Sequence, residues 1–106
     1  MNEYQLRYLP QFHQDVAEII WYISTKLKNP DAANHLVNAV ENAILDRLPD
    51  AEIYEQYHSR KEHRYPYYRI YVGNYIVFYV VINEDGHKVM EIRRFLYAKS
   101  NWKRTI

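Results

Sequence analysis

The sequence predicts an α+β domain with the element order β-α-α-β-β-β, a helical hairpin packed on one face of an antiparallel sheet. Apolar residues recur at helical spacing from Phe12 to Leu48 and then at strand spacing from Tyr67 to Tyr97. Turn residues punctuate both regions: Asn29-Pro30 divides the helical part, and Gly73-Asn74 and Asn83 to Gly86 divide the strands. With 106 residues the chain suits one core, so residues 1–106 are expected to form a single domain.

The opening run from Tyr4 to Leu9 reads as a strand closed by Pro10. Phe12, Val16, Ile19, Ile20, Ile23 and Leu27 then form one stripe of a helix from about Pro10 to Lys28. Asn29 is placed to cap a second helix whose first residue is Pro30, where a missing N–H costs nothing. That helix carries Ala33, Leu36, Val37, Val40, Ala43, Ile44 and Leu48 on one stripe and stops at Pro49. Residues 58–64, HSRKEHR, lack an apolar anchor and read as an exposed basic loop. Three strands follow as a meander: YYRIYV, YIVFYVVI and KVMEIRRFLY.

Along the middle strand Ile76, Phe78, Val80 and Ile82 share one face, and Tyr75, Val77, Tyr79 and Val81 the other. The first set is the more apolar. It is therefore expected to meet the hairpin, with Ile19, Ile23, Leu36, Val40 and Ile44 buried against Phe78 and Val80. The other face then carries Tyr67, Arg69 and Tyr71, then Tyr75 and Tyr79, then Glu91, Arg93 and Tyr97, a surface of cations and phenols. Arg93 and Arg94 are adjacent, so alternation sends them to opposite faces unless a bulge intervenes.

The net charge of +1 conceals an uneven distribution. Residues 1–57 hold 4 Lys and Arg against 9 Asp and Glu, and residues 58–106 hold 10 against 4, a split of −5 and +6. A basic half suits a polyanionic partner such as nucleic acid. Of 12 tyrosines, 8 lie between Tyr54 and Tyr79, where a ring with a polar tip suits a half-buried strand and can also stack on bases. With no cysteine there is neither a disulfide framework nor a thiolate metal site, and with no export signal or long apolar run the expected location is the cytoplasm.

Only two glycines are present, too few for a phosphate loop or a dinucleotide fingerprint. The five histidines are scattered, so neither a metal nor a cofactor is expected. Arginine, lysine, tyrosine and histidine around a phosphate fit ribonuclease chemistry. RNA brings its own 2′-OH nucleophile, and the protein supplies proton transfer and positive charge.

Over nearly its whole length the chain resembles the RelE/ParE superfamily of bacterial toxins from type II toxin–antitoxin pairs, which includes plasmid stabilisation proteins. The likeness rests on the order of the opening strand, FHQDVAEIIWYI, PDAANHLVNAV with RLPD, YYRIYVGNYIVFYVV and VMEIRRFLYAKSNW. It implies a microbial-ribonuclease-like fold and a cognate antitoxin that wraps the toxin in a hetero-oligomer. RelE-like members cut mRNA on the ribosome, whereas ParE-like members block DNA gyrase without cutting nucleic acid.

By position Arg69 matches the basic residue of the family's first meander strand, and Arg94 the arginine before its final apolar pair. Tyr97 falls where many members have histidine, and Lys99 within the usual basic cluster. The resemblance thus implies Arg69 and Arg94 on the scissile phosphate, Tyr97 in proton transfer and Lys99 as an electrostatic helper. Arg60, Lys61, Arg64, Arg93, Lys103 and Arg104 are expected to hold the polyanion. One departure is Ile76, which follows Tyr75 where ribonuclease members place an arginine. The expected activity is ribosome-dependent cleavage of mRNA by a metal-independent endoribonuclease. The alternatives are inhibition of DNA gyrase and, third, plain RNA binding.

Overall fold

The computed structural model describes residues 4–59, 61 and 64–106. The opening strand β1 (Tyr4–Tyr8) leads through Leu9 into helix α1 (Pro10–Trp21), with proline in the first turn. The last part of the expected first helix is a π-helical turn, Tyr22–Lys26, in which the Leu27 N–H donates to the Tyr22 carbonyl at 3.0 Å. Within it the Ser24 hydroxyl donates to the Ile20 carbonyl at 2.7 Å, a bond that competes with the regular helical ladder. Lys28 turns the chain with a φ of 52°. The Asn29 side chain then accepts the Ala32 N–H at 3.1 Å and caps helix α2 (Pro30–Arg47) as its sequence dictates.

Strands β2 (Gln56–Tyr57), β3 (Tyr67–Val72), β4 (Tyr75–Glu84) and β5 (His87–Tyr97) follow, and a short helix α3 (Trp102–Thr105) closes the described chain. Gly73 with a φ of 56°, and Asp85 with Gly86 at 49° and 81°, occupy the left-handed conformations that tight hairpins require. The sheet order is β1-β5-β4-β3-β2. Its meander is antiparallel as expected, but β1 pairs parallel with β5, which makes the sheet mixed. A helical hairpin lies between β1 and the meander in sequence, so β1 is free to enter beside β5 in either direction.

Along β4 the face assignment expected from the apolar pattern is reversed, whereas Tyr67 and Arg69 of β3 do lie opposite the hairpin. The hairpin residues Phe12, Val40 and Ile44 pack with Val77, Tyr79, Ile70, Met90, Ile92 and Phe95. Phe78 and Val80 belong to a second core with Ile76, Ile82, Val89, Trp102 and Ile106. Thus α3, which the sequence pattern did not reveal, covers the face that was expected to meet the hairpin. Val77, Phe78, Tyr79 and Val80 are each 0% exposed, so the centre of β4 is buried on both sides and alternation alone cannot say which side holds which helix. A phenol can serve the hairpin core because its hydroxyl is satisfied. Tyr79 donates to the Ala51 carbonyl at 2.7 Å and accepts from Arg47 at 2.9 Å. Burial pushes the Tyr79 phenol up to about 12 despite the neighbouring guanidinium.

Candidate functional site

The face of the sheet opposite the hairpin carries Tyr67, Arg69 and Tyr71 from β3, in register with the Phe78 side of β4. Arg69 is the first expected catalytic residue. Its guanidinium lies over the rings of Tyr57 at 5.4 Å and Tyr71 at 6.0 Å, and 3.9 Å from Glu55. It is an oriented cation resting on aromatic faces.

A bulge in β5 decides the fate of the adjacent arginines. Tyr79 pairs with Ile92 and Phe78 with Arg94, so Arg93 is the extra residue. Arg93 donates to Glu91 at 2.9 Å and lies over the Tyr67 ring at 5.9 Å, on the same face as Arg69. Glu91 is buried and also takes Arg7 at 2.9 Å, so its charge is shared between two guanidinium groups. Arg94 instead reaches α1, where its Nε donates to Asp15 at 2.7 Å and a second nitrogen at 3.0 Å. The hydrogen bonds to that carboxylate raise the Arg94 pKa and hold it charged.

Tyr97 ends β5 on the hairpin side. It meets the Tyr75 ring at 5.6 Å and lines an open cavity of about 570 Å³ with Ile19, Tyr22, Leu27 and Asn74. Lys99 is exposed in the turn after β5. Arg69 and Arg94 flank Phe78 from the two neighbouring strands, but the expected proton-transfer residue Tyr97 is not beside them. Arg69 lies on one face, Tyr97 on the other, and Arg94 is bound to a buried carboxylate. Ile76, the expected departure from the resemblance, is 1% exposed and packs in the α3 core.

The expected polyanion-binding residues fare differently. Lys61, Lys103, Arg104 and Asn101 line one open cavity. Arg64 lies over the Tyr65 ring at 5.6 Å, and Arg93 joins Arg69 on the tyrosine face. Arg60 lies outside the described residues. The loop from His58, read from sequence as free surface, is fastened in part. The Ser59 hydroxyl donates to the Ile106 carbonyl oxygen at 2.7 Å, and Lys61 Nζ to the Thr105 carbonyl at 3.2 Å.

The pattern reading missed a second feature. Trp21, Tyr22 and Leu27 are 55%, 50% and 56% exposed; Tyr22 and Leu27 share a cavity with Tyr97, and Trp21 lines an adjoining one with Tyr22, beside the π-helical turn. The signal was present, because Trp21 and Tyr22 lie off the apolar stripe of α1, where large rings have no core to enter. Among the described residues no helix is long and apolar enough to cross a membrane.

No curated protein matches the chain significantly. Residues 6–102, which include every element from the middle of β1 to the start of α3, match the family model of the ParE toxin of the type II toxin–antitoxin system parDE, and the chain belongs to that family.

Proposed function

We propose that this toxin acts by binding its target, DNA gyrase, and not by cutting mRNA. The observation that carries this reading is that Tyr97 lies on the other face from Arg69 while Arg94 is tied to Asp15. General acid–base chemistry on a phosphate requires its groups to reach the reacting atoms of one bound phosphate. Here Arg94 is held by Asp15, Tyr97 lies on the hairpin side, and Arg69 rests on Tyr57 across the sheet. Membership of the ParE family supports the same choice. The exposed rings of Trp21, Tyr22 and Tyr97 supply the kind of anchors that dominate protein interfaces. The antitoxin implied by the family is the second partner, and a toxic surface in the producing cell has to be masked by it.

The test is to induce the chain in growing cells while following plasmid supercoiling and mRNA 5′ ends, and to add the purified protein to a gyrase supercoiling assay. Loss of supercoiling with intact mRNA is the expected result. Cuts within codons, with gyrase activity unchanged, would overturn the reading in favour of ribosome-dependent cleavage.

A further inference from the structure

Two cavities meet at Lys61, and they differ in chemistry. One, of about 150 Å³, is lined by Tyr57, Tyr65, Tyr67 and Pro66, with His58 and Ser59 at its polar side. The other, of about 510 Å³ and open to solvent, is lined by Lys61, Asn101, Lys103 and Arg104. None of the described lining residues of either cavity is acidic. Each tyrosine of the first cavity also has an arginine over its ring: Arg69 on Tyr57, Arg64 on Tyr65 and Arg93 on Tyr67. Two carboxylates stand nearby, Glu55 against Arg69 and Glu91 against Arg93, so the cations left for a ligand are chiefly those of the second cavity.

We propose that these adjoining cavities form a binding site for single-stranded nucleic acid, with a base in the tyrosine slot and the neighbouring phosphates on Lys61, Lys103 and Arg104. An unpaired base presents a flat π-face that tyrosine and arginine planes can stack on, whereas a base inside a duplex does not. Lysine and arginine next to such a slot supply the electrostatic half of the contact. The two parts are held at fixed distance. Ser59 and Lys61 fasten the loop to the carbonyls of Ile106 and Thr105, and the Tyr57 ring packs edge-on against Trp102 of α3 at 5.2 Å. Only the fold brings them together, since Lys61 and Lys103 are far apart in sequence and the slot draws on β2, β3 and the loop between them.

The inference does not rest on gyrase as the target. Neither Arg94 nor Tyr97 lines either cavity, so binding alone is inferred. A toxin with such a site can engage an unwound strand presented beside a protein target.

The probes are fluorescein-labelled oligodeoxythymidylate and oligouridylate, followed by anisotropy at several salt concentrations, with a DNA duplex of the same length as reference. Both single strands are expected to bind more tightly than the duplex, and the two arms separate DNA from RNA preference. In the Lys103→Gln/Arg104→Gln variant, two lost phosphate contacts should flatten the slope of log K against log salt by about 1.4. Tyr65→Leu keeps apolar bulk and removes the stacking plane, so affinity should fall about fivefold or more with the slope unchanged. Circular dichroism checks that variant, and the exposed charge pair keeps the proposal falsifiable if it does not fold. Equal binding of duplex and single strand, or no binding of either oligonucleotide at low salt, would overturn the site. Oligouridylate bound and then cut would uphold the site and overturn the gyrase reading. Gyrase inhibition without oligonucleotide binding would do the reverse.

Discussion

The carboxylate of Asp15 accepts the Arg94 guanidinium at 2.7 Å and the Phe95 backbone N–H at 3.0 Å. β1 stops pairing with β5 at Tyr8 and Ile92, which leaves the next N–H groups of that strand edge without a strand partner. One acidic side chain from α1 takes over that role and brings with it the arginine that position alone assigns to catalysis. Asp15 is 6% exposed, so removing it leaves a strand N–H and a cation short of partners. Asp15→Ala should destabilise the protein by about 2–3 kcal/mol in urea unfolding, a value held below the fully buried limit because Arg94 retains some solvent. A loss under about 0.5 kcal/mol would show that water replaces the carboxylate freely.

Tyr79 gives the stability a signature at high pH. Its folded pKa is raised to about 12 from the 10.0 of an ordinary phenol. The group's contribution is therefore fully present below pH 10.0 and is lost as pH rises through about 12. The two-unit difference corresponds to about 3 kcal/mol at most. Tyr79→Phe should reduce the alkaline dependence, leaving the smaller share of Tyr8 and Tyr75, whose phenols burial also raises, while costing about 1–3 kcal/mol at neutral pH because the Ala51 carbonyl and Arg47 lose the hydroxyl. Chemical unfolding of both proteins across that pH range checks the difference.

Both faces of β4 should respond to truncation. Val40→Ala removes methyl groups from the hairpin core, and Val80→Ala from the α3 core, and each should cost about 1–3 kcal/mol. A solvent-facing second side would instead put Val80→Ala within about 0.5 kcal/mol of the parent.

Trp21→Ser and Tyr22→Ser change half-exposed rings, so melting temperature should hardly move. If these rings anchor the target, the double variant should lose about tenfold or more in growth inhibition and in gyrase inhibition alike. Full toxicity of a folded double variant would remove this surface from the target contact.

Tyr97→Phe keeps the ring, and Arg69→Lys keeps the charge while losing the planar fork. For a toxin that binds without cutting, Arg69→Lys should inhibit growth as well as the parent does, and any loss in Tyr97→Phe should appear equally in gyrase inhibition. A drop of tenfold or more in either, accompanied by loss of mRNA cutting, would restore the catalytic reading of these two residues.

The sequence by itself determined the long elements, though not β2 or α3. The stripe from Phe12 to Leu27, the Asn29-Pro30 start and the glycine turns at Gly73 and Gly86 are local, and local spacing was enough to order one strand, two helices and three strands. The same order and motifs were enough for the toxin family. Tertiary structure decided which side of β4 meets the hairpin, because both sides are apolar and a tyrosine became core once Arg47 and Ala51 satisfied its hydroxyl. It also decided the fate of the arginines. A single bulged residue sends Arg93 toward Tyr67 and Arg94 to Asp15, and a partner 79 positions away leaves no mark in the spacing of the strand. The slot at Lys61 has the same origin: hydrogen bonds to the carbonyls of Thr105 and Ile106 join a loop and a helix that no periodicity connects.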